Sequence, residues 1–365
     1  MIKLNGMKFR VGLKCLSECI SNAIARKHFP DSGGLCAGQL MRSCSTTSKS
    51  TKKHDNGRLM RKHLIAKIKS TGPISVAEYM REVLTNPVAG YYYHREVLGA
   101  QGDFITSPEI SQVFGELLGI WCVSEWMAAG KPEAFHLVEL GPGRGTLASD
   151  VLRKTKQGWR EILIDIEPRS PEKLRFVLAR SATFASKTLI QRDDKRDHLE
   201  VCPEAGVIIH SLASRIAEDG GAALIADYGH NGTKTDTFRA FRGHQLHEVL
   251  TAPGTADLTA DVDFSFLRQM TRGKVATLGP VTQQEFLKNM GIDVRLQVLL
   301  KNTSDPTTHK NLIESYDMLM NPEKMGKRFK FFALMPHGRV ISQVNKLVKR
   351  DPTASPVAGF SELQF

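Results

Sequence analysis

Phe135-His-Leu-Val-Glu139-Leu-Gly141-Pro-Gly143-Arg-Gly145-Thr146, followed by Leu147-Ala-Ser-Asp-Val-Leu152, is the stretch that decides the fold. A short apolar run leads into three glycines at alternate positions, and a helix is predicted to begin at Leu147. Strand, tight glycine turn and helix start are the setting that a nucleotide-type cofactor loop needs. Glycine serves there because the backbone must approach a ligand closely and take positive φ, where a Cβ would clash. The spacing then discriminates. A dinucleotide loop carries G-x-G-x-x-G, whereas counting from Gly141 the last position is Thr146. That disfavours an NAD-type oxidoreductase, and the pattern present is E-x-G-x-G-x-G.

Upstream, Leu64, Ile65 and Ile68, then Ile74, Val76, Tyr79, Met80 and Val83, predict two short helices split by Gly72-Pro73. Residues 90–106, with three tyrosines and no long periodicity, predict a surface loop. Ser107-Pro108-Glu109 reads as a helix start, with a hydroxyl cap, a first-turn proline and an acid at the positive end of the macrodipole. Ile110, Val113, Phe114, Leu117, Leu118 and Trp121 then recur at helical spacing as a stripe for burial.

Downstream, residues 221–229 hold five apolar residues closed by Asp227 and Gly229, the pattern of a buried parallel strand ending at a turn. Ligand crevices in open α/β sheets lie at the carboxyl ends of strands, so Asp227 is expected to face the site; a cap or turn acid is the alternative. Asp257, Asp261 and Asp263 lack the glycine and terminal glutamate of a Ca²⁺ loop, which favours capping, structural or substrate-facing roles. Cys122 and Cys202 have no CxxC partner or histidine at ligand spacing and read as buried reduced thiols, so no metal site is expected. His230, His244 and His247 read as loop residues.

The 365 residues are 41% hydrophobic and 24% charged, enough for a sizeable core. No run approaches the ~18 apolar residues of a membrane span, so membrane insertion is not expected. The net charge of +12 is unevenly placed: residues 1–53 carry ten Lys or Arg against Glu18 and Asp31. With so little basic excess on the body, nucleic acid is not an expected partner. The leader, basic and rich in Ser and Thr near its end, resembles a mitochondrial transit peptide, while Lys14 and Glu18 interrupt the uncharged run a secretory signal would need. The division expected is a leader over 1–53, a helical cap over 57–130 and a catalytic-type domain over 131–365.

The glycine loop resembles motif I of class I S-adenosylmethionine methyltransferases. Six stretches occur in order with it: Gly90-Tyr91-Tyr92; Gly102-Asp103-Phe104-Ile105-Thr106-Ser107-Pro108-Glu109; Phe114-Gly115-Glu116; the loop itself; Asp227-Tyr228-Gly229; and Asp257-Leu-Thr-Ala-Asp261-Val-Asp263-Phe264. Together they resemble the MidA-type methyltransferase family over residues 64–365. The resemblance implies an enzyme of the mitochondrial matrix that moves a methyl group from S-adenosylmethionine to an arginine of a respiratory complex I subunit and promotes assembly of that complex. Such a transfer is an in-line displacement, and holding the reactants in line can supply about 7 to 11 kcal/mol. A guanidinium is a poor nucleophile with its charge delocalised, so carboxylates must localise that charge and help remove the product proton. The catalytic candidates are Asp227 and Asp263; the cofactor-binding candidates are Gly141, Gly143 and Gly145, with Glu139 supporting the loop.

One stretch departs from that family. A parallel strand-helix-strand unit takes about 30 residues or more, yet residues 153–221 offer two strand-like runs, 159–166 and 174–178, joined through Pro168-Arg-Ser-Pro171, and one helix over 201–218. The two runs predict an antiparallel hairpin, which leaves the ribose-holding acid and the substrate loop of the family without counterparts. An internal deletion just after Lys154 accounts for this. The fold class expected is therefore α/β: a Rossmann-like class I methyltransferase with a helical N-terminal cap and a β-hairpin insertion, its sheet incomplete and its unpaired edges exposed. A non-catalytic assembly chaperone on the same scaffold is the alternative function.

Overall fold

The computed structural model describes residues 49–93, 107–133, 137, 150–155, 158–190, 194–341 and 357–360. Helix α1 spans Lys49–Thr71 and begins inside the last residues of the expected leader. The chain turns at Gly72, forms strand β1 (Ile74–Ser75) and enters α2 (Val76–Thr85), whose first turn is capped by Ser75 accepting from the Glu78 amide at 3.0 Å. The break at Gly72-Pro73 thus falls where the sequence puts it. Met60, Leu64 and Ile68 of α1 and Val76, Tyr79, Met80 and Val83 of α2 are buried against one another and the body.

Glu82 of α2 ties the two helices together, accepting from Lys67 at 2.8 Å, His63 at 2.7 Å and Asn86 at 3.1 Å. Burial alone would raise its carboxyl pKa. The hydrogen bonds from Lys67, Asn86 and His63 outweigh burial and bring the pKa down to about 2. The folded pKa lies below the unfolded one, so this clamp stabilises the fold above pH ~4.5 and is lost as pH falls toward 2. Against the parent, a Glu82→Gln variant is expected to lose on the order of 1–2 kcal/mol at pH 7 and only about a quarter of that at pH 2.5, after allowance for screening at a partly exposed place. Urea melts at the two pH values measure this, and an equal loss at both would rule the clamp out.

Short helix α3 (Ser107–Ile110) and α4 (Gln112–Ala128) replace the single helix expected from Ser107. The break is at Ser111, held extended at φ −153° with its hydroxyl accepting from the Val113 amide at 3.3 Å. A side-chain cap competes with helix continuation, and Ser111 starts the long helix in place of Ser107. The stripe of Val113, Phe114, Leu117, Leu118 and Trp121 is buried as its spacing predicts, with Ile110 packed against it.

The next element overturns an expectation. Residues 150–152, placed by sequence in a helix starting at Leu147, open strand β2 (Asp150–Thr155). It pairs antiparallel with β3 (Gly158–Glu167) on one side and with β5 (His198–Val201) on the other. Inter-strand pairing has overridden helical spacing. The predicted hairpin is present as β3 and β4 (Ser170–Leu178), with Ile164 opposite Phe176. With β1 these strands make a wholly antiparallel sheet. Beyond it come α5 (Phe184–Thr188), β5 and α6 (Pro203–Asp219), the helix expected over 201–218.

A second sheet is the central layer. Strand β6 (Ala223–His230) is followed by β7 (Arg239–Arg242), β8 (Gln245–His247) and β9 (Asp257–Thr259), which form a small separate sheet. Strand β10 (Val262–Asp263), α7 (Phe264–Thr271), β11 (Ala276–Thr282), α8 (Gln283–Asn289), α9 (Ile292–Lys301), α10 (Pro306–Met320) and β12 (Phe329–Met335) follow. The order is β10-β6-β12-β11. β6 runs parallel to β10 and antiparallel to β12, so its expected parallel surroundings hold on one side only. Along β12 the side chains alternate, as a strand buried on both faces requires. Phe332 and Leu334 join the core containing α2, α6 and α7, while Phe331, Ala333 and Met335 join the core containing α4, α8 and α10. The result is an α/β arrangement with helices on both faces of a mixed sheet. On the β10 side of β6 the pairing covers only Gly229 and His230; among the described residues no strand pairs with Ala223–Tyr228 there. Among the described residues no helix is long and apolar enough to cross a membrane.

Candidate functional site

The candidate site lies at the carboxyl end of β6, where the parallel strand β10 arrives. Gly229 is what lets β10 approach: a Cβ there would sit 2.3 Å from the Val262 carbonyl oxygen and 2.7 Å from the Phe264 ring. Asp227, two residues earlier, is fully buried, and its Oδ1 accepts from the Tyr228 amide at 2.7 Å. His230 closes the strand and is buried, so it is not the loop residue expected. Burial pushes its ring pKa down from the ordinary value, with Asp263 and Asp261 opposing that shift.

Asp263 caps α7. Its Oδ1 accepts from the Ser265 amide at 2.9 Å and the Ser265 hydroxyl at 2.5 Å, and its Oδ2 receives Arg196 Nη1 at 2.6 Å. Arg196 is itself held by Asp194 at 2.7 Å. Asp261 takes Lys234 at 2.5 Å and Arg239 at 2.6 Å. Burial raises the Asp261 carboxyl pKa, but these two cations outweigh it and the net direction is down. Both acids therefore hold guanidinium groups of the chain itself, in the charge-assisted geometry in which carboxylates bind arginine. The third acid, Asp257, accepts from the Tyr92 hydroxyl at 3.0 Å.

Sequence reasoning misses the clamp that positions this group. Glu200 at the end of β5 accepts from the Thr237 amide at 2.8 Å, the Phe238 amide at 2.9 Å and the Thr237 hydroxyl, while Thr237 Oγ1 accepts from the Asp261 amide at 2.8 Å. Burial raises the Glu200 carboxyl pKa, and the Thr237 and Phe238 donors pull the other way. The antiparallel sheet is thereby fastened to the acid-bearing loop. Tyr228 adds a further tie, its hydroxyl bonding Thr259 while the Arg239 guanidinium lies 5.5 Å over its ring. No motif marks Glu200, Arg196 or Arg239, because each acts through a partner distant in sequence. Cys122 and Cys202 are half-buried thiols outside any disulfide rather than fully buried ones, and Cys202 Sγ accepts from the Ala205 amide at 3.4 Å. His244 turns between β7 and β8 at φ 60°, and His247 ends β8. Among the described residues no group of three or more His, Cys, Asp or Glu could hold a metal ion.

Glu139, Gly141, Gly143 and Gly145 lie outside the described residues. The chain beyond them bears on whether S-adenosylmethionine fits. The cofactor loop needs the free amides of a helix start, and by Asp150 the chain is already a strand with ladders on both sides. In that respect the described residues do not complete the cradle for the cofactor.

Residues 117–157 and 153–281 match the family described as "Putative S-adenosyl-L-methionine-dependent methyltransferase", in two pieces that meet at 153–157. The mitochondrial protein arginine methyltransferase NDUFAF7 of Rattus norvegicus is 50% identical over 415 residues, covering 88% of this chain and 95% of the relative. The Homo sapiens protein of the same name is 52% identical over 399 residues, covering 84% and 90%. The first alignment is longer than the 365 residues of this chain, so at least 50 of its positions have no counterpart here. Among solved structures, a chain from Burkholderia thailandensis bound to S-adenosyl-homocysteine superposes with a TM-score of 0.64 at 20% identity, covering 80% of this chain and 95% of that one. That likeness establishes the fold.

Proposed function

The chain belongs to the family of the mitochondrial protein arginine methyltransferases NDUFAF7, and from that premise we propose that its architecture is built to transfer the methyl group of S-adenosylmethionine to an arginine of a mitochondrial protein. A subunit of respiratory complex I in the matrix is the substrate in this reading, and assembly of that complex is the outcome. The observation that carries it is Asp227, fully buried in β6 two residues before the Gly229 that pairs with the strand β10, whose neighbourhood holds acids that already bind guanidinium groups. Asp227 takes the catalytic role of localising charge on the substrate guanidinium. Asp263, committed to α7 and Arg196, shares that role through the shape of the acidic end it maintains. Gly141, Gly143 and Gly145 supply the cofactor turn, with Glu139 behind them.

A second reading, a non-catalytic assembly chaperone on the methyltransferase scaffold, is favoured for this shortened chain by one feature. Asp150–Thr155 is a strand where the cofactor helix should run. Incubation with methyl-labelled cofactor and complex I subunits separates the two readings. Label on an arginine, lost in a Gly143→Val variant, supports the enzyme; complex I assembly rescued in cells by both chains, with no label from either, supports the chaperone.

A further inference from the structure

The charge of this protein is confined to its amino-terminal end. Residues 72–365 hold 35 Lys or Arg against 35 Asp or Glu, so the folded body beyond the first helix is neutral. Residues 54–71 add Arg58, Arg61, Lys62, Lys67 and Lys69 against Asp55 alone. These side chains sit on α1, and α1 is no loose tail. Met60 and Leu64 are fully buried, and a Cβ at Gly57 would lie 2.9 Å from Thr255 Cγ2, so the helix is seated directly on the body. Of its cations, the inward Lys67 is neutralised, pairing with Glu78 at 2.7 Å and Glu82 at 2.8 Å. Its outer ones are not. Arg58, Lys62 and Lys69 are exposed, and among the described residues none has an acidic partner. At about 1.5 Å per residue they form a fixed row roughly 16 Å long.

We propose that the outer face of α1 is a docking surface for an anionic lipid bilayer, on which the folded protein lies without inserting a span. Juxtaposed bases on a rigid helix each gain roughly five-fold in affinity at such a surface and lose it within a Debye length. Two features favour lipid over the other anionic polymers. Leu59 stands 44% exposed between Arg58 and Lys62, an apolar side chain among bases that suits the boundary between headgroup and acyl chain. The exposed positions of residues 58–70 include no Phe, Tyr or Trp, whereas single-stranded nucleic acid is held by stacking on such rings. A neutral body behind the row also means that the net attraction comes from this end of the molecule, which favours one orientation of the docked protein.

Flotation of the full chain with phosphatidylcholine vesicles, with and without phosphatidylglycerol, tests this at about 0.1 M salt. Binding is expected only to the anionic vesicles, with loss at high salt. The triple variant Arg58→Gln, Lys62→Gln, Lys69→Gln, its helix content checked by circular dichroism, should bind roughly a hundred-fold more weakly. The single variant Lys62→Gln should bind roughly five-fold more weakly and stands in should the triple variant misfold. A leader variant, Lys3→Gln, Lys8→Gln, Lys14→Gln, should lose much less than the triple helix variant. Equal binding to neutral vesicles, an unaffected helix variant, or a loss that tracks the leader would overturn the proposal. Tighter binding of an RNA homopolymer or polyglutamate than of anionic vesicles at the same salt would overturn it as well.

Discussion

Titration of this chain with S-adenosylmethionine should release no saturable heat, with a dissociation constant weaker than about 1 mM. A chain in which the relatives' missing stretch is restored after Lys154 should bind in the micromolar range. The difference is about 4 kcal/mol. Its source is backbone hydrogen bonding. A glycine turn that leads into a helix offers the ligand several main-chain amides with no partner of their own and the positive end of a macrodipole. Here the first described residues beyond the turn form β2, where Val151 and Leu152 lie opposite Ile162 and Glu161 on one side and Glu200 and Leu199 on the other. Amides engaged in two ladders have nothing left to offer a cofactor. Micromolar affinity in the short chain would sink this account and show that the turn alone suffices.

Replacing Phe331 by alanine is expected to cost about 3–5 kcal/mol, a large share of the ~5–15 kcal/mol that stabilises an ordinary domain. Phe331 is fully buried in β12, stacked on Phe286 with ring centroids 4.0 Å apart and planes 1° from parallel, and Phe114 of α4 lies 6.2 Å away. The cavity left would open between the sheet and the helices α4 and α8, where side chains on three elements would have to move together to fill it. Phe331→Leu, which keeps most of the volume, should cost less than half as much. Equilibrium unfolding in urea gives both numbers. A loss under about 1 kcal/mol for the alanine variant would mean that this core is not packed as described.

How far the sequence could be read depended on the range of the interactions. Local signals succeeded: Gly72-Pro73 split the first helices, Pro168 and its neighbours turned the hairpin, and the apolar run before Asp227 became β6. A competition between two local signals misled at Ser107, because the cap that wins is Ser111, equally visible as a serine before a helical stripe. Residues 150–152 failed for a different reason. Their helical reading rested on what normally comes after a glycine turn, but the partner strands β3 and β5 supply a ladder that no window of neighbouring residues displays. The acids show the same division. Asp227 and Asp263 were visible as strand and turn acids, whereas the guanidinium groups that occupy Asp263 and Asp261 come from Arg196 and Arg239 and could be seen only in three dimensions. Glu200 belongs to a four-residue strand too short to have a pattern.

Because β12 gives alternate side chains to both hydrophobic clusters, neither is sealed until residue 335 is present. A ribosome delivers the amino end first, so about nine-tenths of this polypeptide must emerge before either half of the interior can close. Until then Ile225 and Phe264 on one side, and Leu117 and Phe286 on the other, have no permanent cover. The nascent molecule is therefore a natural client for holding chaperones, and a premature stop anywhere before Phe329 leaves a product for proteolysis rather than a smaller folded version.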